Sequence, residues 1–139
     1  MADFNQQVIE EFRGNSGRVG GPFEGSPMVL LHHTGARTGT ERVTPLMSRP
    51  DGDDLYIFAS KAGAPDNPDW FHNLVANPEV VVEVPAGDGI ATRPVRAEVV
   101  EGDERERAWE GQKQDWPQFA GYEASTDRVI PVIALRPRA

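Results

Sequence analysis

Hydrophobic and polar positions along the 139-residue chain alternate with two different periods. Phe4, Val8 and Phe12 recur at i, i+4 and i+8 with Ile9 beside them, which predicts an amphipathic helix over 3–13 with Asp3 as its cap. Its polar face carries glutamates, so it reads as a helix packed on a core, not one lying on a membrane. The stretch GNSGRVGGPFEGSP (14–27) is a glycine-rich loop. Met28–Thr34 is a short apolar strand ending at His32 and His33, whose side chains must point to opposite faces. Glu41–Arg49 is a second strand, in which Pro45 marks an edge, a bulge or a ligand-facing break. The PDGDD turn (50–54) returns the chain as Leu55–Ala59, and the two runs predict a hairpin.

Asn67-Pro68 starts a second helix, asparagine as N-cap and proline at the first helical position, and Asn77-Pro78 ends it. On it Trp70, Asn73 and Leu74 share a face. Runs 79–84 and 90–101 flank the PAGDG turn as two more strands, the second with one largely solvated face. A polar helix follows over 103–115, capped by Asp103 and broken by Trp116-Pro117. Residues 118–125 form an aromatic-bearing connector, and 129–135 a last strand. Six strands and three helices in one domain, 1–139, predict a mainly β (α+β) fold, an antiparallel barrel with peripheral helices.

Composition narrows the functions. Net charge is −8, from 22 acidic and 14 basic residues, which argues against nucleic acid as the partner. Cysteine is absent, so disulfides and thiolate chemistry are excluded. No apolar run reaches the ~20 residues of a membrane span. The N-terminal segment has the pattern of neither a signal nor a transit peptide, which predicts a cytoplasmic protein. No His/Asp/Glu spacing predicts a metal site. The cations are uneven, however: Arg37, Arg42 and Arg49 stand against a single glutamate, Glu41, between Met28 and Arg49. Arg37 sits inside TGARTG (34–39), and Lys61 inside SKAGAPDNP (60–68) just before the second helix. Glycines let backbone N–H groups converge with such cations on anionic oxygens, so these two loops predict a site for a small, multiply charged anion. No nucleophile–base pair stands out and no catalytic residue is assigned, which favours a cofactor that brings its own reactivity.

Four motifs now occur in order over nearly the whole chain: VIEEFR, LLHHTGARTGTERVTPL, FASKAGAPDNPDWFHNLVANPEV and TDRVIPVIAL. On these the chain resembles the deazaflavin-dependent nitroreductase family, split β-barrel proteins that use reduced coenzyme F420. The resemblance implies that Arg37, Thr38, Arg42 and Lys61 grip the phosphate and glutamyl tail of the cofactor, and that Ala36 also belongs to the cofactor site. It implies that Arg42, Val43, Thr44, Pro45, Leu46 and Met47, with Phe58, Ala59, Ser60 and Lys61, line the deazaflavin. Asp69, Trp70, Phe71, His72 and Asn73 close the site. The family's nitroimidazole-reducing member carries three tyrosines before TDR. The matching residues here, the implied substrate side, are Trp116, Phe119 and Tyr122, of which the last alone keeps a hydroxyl. The expected reaction is hydride transfer from the reduced deazaflavin to a quinone, enone or nitro compound, with a proton from water or Tyr122. Two other readings stay open: a non-catalytic F420 carrier, and a barrel that holds a flavin or haem instead. Oligomeric state is unassigned, and peripheral contact with the inner face of the plasma membrane stays open.

Overall fold

The computed structural model describes residues 4–21, 25–87 and 89–138. The predicted cap Asp3, the side chain of Phe4, and Pro22, Phe23 and Glu24 of the glycine-rich loop lie outside the described residues. The described chain runs α1 (Phe4–Gly14), β1 (Met28–Thr34), β2 (Glu41–Met47), β3 (Arg49–Asp51), β4 (Asp54–Phe58), α2 (Asp69–Ala76), β5 (Glu79–Ala86), β6 (Gly89–Val100), α3 (Gly102–Asp115), α4 (Gln118–Ala124) and β7 (Val132–Pro137).

Seven strands form one antiparallel sheet in the order β2-β1-β5-β6-β7-β4-β3. The two edge strands, β2 and β3, are separated in sequence by Ser48 alone. A flat sheet would hold its edges far apart, so this covalent link makes the sheet curl until its edges meet. The result is the split β-barrel, closed at the seam by chain continuity. Pro45 sits on the edge strand β2, opposite Leu30 in an unbroken register, where a missing ladder donor is harmless.

The barrel interior is filled by Val29, Leu31, Ile57, Val82, Ile133 and Leu135, and Trp70 and Leu74 of α2 pack onto it. Outside, α1 lays Val8, Ile9 and Phe12 on Met28 and Leu30. On the other outer flank α3 and α4 bury Trp109 and Phe119 against Tyr56, Phe58 and Val132. Each such side chain contributes roughly 1.5–3 kcal/mol by leaving water. An ion-pair network fixes α1: Arg13 donates to both oxygens of the buried Glu83, at 3.1 and 2.7 Å, and His32 Nε2 lies 2.6 Å from Glu83.

Several sequence expectations are corrected. The single strand expected over 41–49 breaks at Ser48, whose N–H donates to Pro27 O. The hairpin across the PDGDD turn is therefore β3 with β4, while β2 pairs with β1. The expected connector 118–125 contains α4, since Phe119 needs a helical face to reach the core. Asn67 does not cap α2. Pro68 holds that position, and Asn67 Oδ1 accepts a hydrogen bond from Arg128 at 2.7 Å. Asp103 lies inside the first turn of α3, after Glu101. The last strand begins at Val132 and not 129, because Pro131 has no N–H to enter the ladder.

Candidate functional site

The loop between β1 and β2 is shaped by its glycines. Gly35 N–H donates to Thr40 O and Gly39 N–H to Gly35 O, and Gly39 turns the chain at φ +71. A Cβ at Gly35 would come within 2.7 Å of Thr38 Oγ1. This folding leaves the N–H groups of Arg37 and Thr38 without a protein acceptor among the described residues. The Arg37 and Arg42 side chains form no ion pair there either, whereas Arg13, Arg49, Arg105 and Arg136 each hold a carboxylate. Both belong to a cleft of about 360 Å³ whose lining also includes Ala36, Thr38, Asp69, His72 and Asn73.

A buried relay fixes this loop to the barrel. Ala36 N–H donates to Asn73 Oδ1 at 2.9 Å. That orients the amide so that Asn73 Nδ2 donates to His33 Nδ1, also at 2.9 Å. His33 then carries its proton on Nε2 and donates to Thr44 Oγ1 at 2.8 Å. Burial above all, with the charge of Arg42 second, holds the His33 pKa below the usual imidazole range, so the neutral tautomer this chain requires is the favoured one. The Thr44 hydroxyl, accepting from His33, keeps its own proton to donate. Sequence parity correctly separates His32 from His33: the first faces Glu83, the second faces the relay.

The second cationic loop is held from the far end of the chain. Lys61 takes a left-handed φ of 46° and its Nζ lies 3.3 Å from Asp66. Arg128 spreads its guanidinium over Ser60 O at 2.8 Å, Ala64 O at 2.9 Å, Ala59 O at 3.1 Å and Asn67 Oδ1 at 2.7 Å. Gly63, φ +82, packs so tightly on α4 that a Cβ there would lie 3.0 Å from Tyr122 O. Nothing in the local pattern around TDR announces that Arg128 grips this loop. His33 was equally hidden, because a histidine at a strand end gives no sign of what lies across the barrel.

The remaining sequence-predicted residues separate. Thr44 and Leu46 share the barrel-interior face of β2 with Arg42, while Val43 and Met47 face α1 and Pro45 pairs with Leu30. Phe58, Ala59 and Trp70 are buried in the core, Ser60 is half-buried, and Lys61 is exposed outside the first cleft. Phe71 lies on another cleft with Leu74, Val75 and Val99. Phe119 is 4% exposed, its ring 5.8 Å from that of Phe58 and 5.1 Å from that of Tyr122, inside an aromatic cluster. Trp116 and Tyr122 are half-buried at the edge of this cluster. Trp109 Nε1 and Lys113 both donate to Glu123, which ties α4 to α3 and sets the position of Tyr122. No helix among the described residues is long and apolar enough to cross a membrane.

Comparison with known proteins gives this geometry a context. The sequence profile of the F420H2-dependent quinone reductase family matches residues 5–137. An F420H2-dependent quinone reductase of Mycobacterium tuberculosis is 38% identical over 130 residues, covering 91% of this chain and 85% of its own. A solved F420H2-dependent reductase, FDR-A, superposes with a TM-score of 0.69 at 39% identity, over 79% of this chain and 94% of that one. A structure described as a domain-swapped dimer superposes at 0.70 with 33% identity, over 94% and 95% of the two chains. The haem storage protein HutZ of Vibrio cholerae shares the fold alone, at 15% identity and a TM-score of 0.64 over 96% and 90%.

Proposed function

The chain belongs to the F420H2-dependent quinone reductase family, and from that premise we propose that its Arg37–Arg42 cleft holds the anionic tail of coenzyme F420 while a quinone is reduced nearby. It is an oxidoreductase with reduced F420 as cofactor. When bound, that cofactor supplies a hydride equivalent. The chain's own residues bind and orient. Residues 1–139 are read as one cofactor-binding domain, a reading supported by the single sheet that the strands among the described residues form.

One observation carries the reading: two guanidinium groups without carboxylate partners, and two backbone N–H groups without acceptors, among the described residues meet in one cleft. Polar groups left in this state are satisfied by water or by an anion, and charge-assisted hydrogen bonds to phosphate contribute roughly 1.5–3 kcal/mol each. Asp69 on the same cleft opposes an anion, so the two arginines must outweigh it. The relay through Asn73 and His33 holds the loop and aims a hydroxyl donor, Thr44, from the strand that continues out of the cleft. Lys61 would reach the same ligand from the second loop by leaving Asp66. Tyr122, whose hydroxyl has no protein partner among the described residues, is the side chain on the acceptor side able to give a proton. A cytoplasmic location, with peripheral approach to the inner face of the plasma membrane, suits a lipid-soluble quinone.

The test pairs two assays on the intact chain. F420 binding is followed by its fluorescence, and F420H2 oxidation by absorbance against a panel of quinones, enones and nitro compounds. Wild type should bind F420 and oxidise F420H2 with quinones, and Arg37→Ala should raise the F420 Kd about tenfold or more. Unchanged affinity in Arg37→Ala would remove the cleft assignment. Binding without turnover across the panel would leave a carrier.

A further inference from the structure

A second cleft, of about 340 Å³, opens at the barrel seam, where Ser48 separates β2 from β3 and α3 passes over them. Pro27, Pro50 and the half-buried Trp116 give it apolar walls. Gln112 also lines it. Gln112 is 1% exposed, yet neither its Nε2 nor its Oε1 has a hydrogen-bond partner, the one such side chain among the described residues. A buried amide with unmade hydrogen bonds is costly, and a native structure that keeps one calls for an explanation. Gln112 lies on the same face of α3 as Ala108 and Trp109, where a methionine or leucine would pack without that penalty. The wall beside it is built with care. Gly111 leaves room for Arg49, whose Nη2 would lie 2.5 Å from a Cβ there, and Asp115 holds that guanidinium at 2.7 Å.

We propose that this seam cleft is the binding site of the quinone head group, with the Gln112 amide as the group that recognises its oxygen. The inference rests on the quinone reductase reading above. Position supports it. The cleft begins at Ser48, directly after the Arg42–Met47 segment assigned to the cofactor. It lies at the Met28–Met47 end of the β1–β2 pair, the anion cleft at the Thr34–Glu41 end. Seven residues of strand put roughly 20 Å between them, so the two clefts are joined by the strand that the resemblance gives to the cofactor. Volume supports it too, because 340 Å³ falls within the range of small-molecule pockets.

Chemistry supplies the remaining argument. A quinone oxygen only accepts hydrogen bonds, whereas the hydroquinone hydroxyl also donates. Reduction adds one hydride and one proton to the quinone, while the reduced cofactor loses one of each. A carboxamide suits both partners of that conversion: Nε2–H donates to the quinone oxygen, and Oε1 accepts from the hydroquinone O–H. The flat indole of Trp116 provides a stacking wall.

The experiment uses the full chain with F420H2 and menadione. Gln112→Met removes the unpaired amide at nearly constant volume. Its melting temperature should equal or exceed that of wild type, its F420 Kd should be unchanged, and its KM for menadione should rise about tenfold. Gln112→Glu keeps the size but exchanges the N–H donor for a carboxylate, and should raise KM at least as much. If wild type turns menadione over and both variants keep its KM, the seam assignment fails while the family reading stands. If wild type binds F420 but reduces no quinone, the reductase reading itself fails.

Discussion

Replacing Arg128 should destabilise the fold and disorganise the Lys61 loop together. Its guanidinium donates to Ala59 O, Ser60 O, Ala64 O and Asn67 Oδ1, all within 3.1 Å. Each charge-assisted bond is worth roughly 1.5–3 kcal/mol. The residue is half-buried, so water recovers part of the loss. Arg128→Ala should therefore cost about 3–5 kcal/mol, a large share of the 5–15 kcal/mol typical of a domain. At roughly 3 °C per kcal/mol for a chain of this size, the melting temperature should fall by about 10 °C. Arg128→Lys keeps the charge, but a single ammonium cannot span four separated acceptors and should recover less than half of the loss. Urea unfolding at 25 °C measures the stability, and F420 fluorescence titration of the folded fraction measures the loop. The F420 Kd should rise about tenfold for Arg128→Ala. A stability within 1 kcal/mol of wild type would refute the clamp as a source of stability. Full rescue by lysine in both assays would show that charge, not the fork of donors, matters.

Two further outcomes test the electrostatics. Asp66→Asn should tighten F420 binding a few-fold at low salt, less at high salt, because Lys61 no longer has a competing carboxylate at 3.3 Å; an unchanged or weaker affinity would mean that Lys61 takes no part. Glu83 is held below the usual carboxylate range, first by hydrogen bonds from Arg13 and then by His32, against the opposing effect of burial. Its folded pKa is depressed, so its stabilisation is complete above the unfolded value near 4.5 and is lost as pH falls through the lower folded pKa. The urea midpoint should drop across that acid window, and Glu83→Gln, less stable at neutral pH, should show a flatter acid limb.

Several features were legible because they are local. The bounds of β1 coincide with the apolar run that predicts them, and Trp70, Asn73 and Leu74 of α2 share the buried face that their spacing requires. The loop over 34–39 announces itself through its glycines and arginine, and Arg37, Thr38, Arg42, Asp69, His72 and Asn73 do meet in one cleft. Others were not legible. The expected strand 41–49 is continuous in pattern, yet it breaks at Ser48 because the chain must cross there from one sheet edge to the other. The motif gives Phe119 to the substrate side by its place alone, and nothing in that spacing shows that α4 packs it against Phe58 and Trp109.

What the sequence determined by itself is the set of segments, their amphipathic faces and the cationic loops, since those depend on neighbours a few residues apart. The tertiary structure decided which distant groups meet. It joined Ala36, Asn73, His33 and Thr44 into one relay, set Arg128 over the Ala59–Asn67 loop, and left the amide of Gln112 buried and unpaired at the seam. The physical reason is that hydrogen bonds and burial depend on distance in space, and a curled sheet whose edges meet at Ser48 brings together groups that no sequence spacing relates.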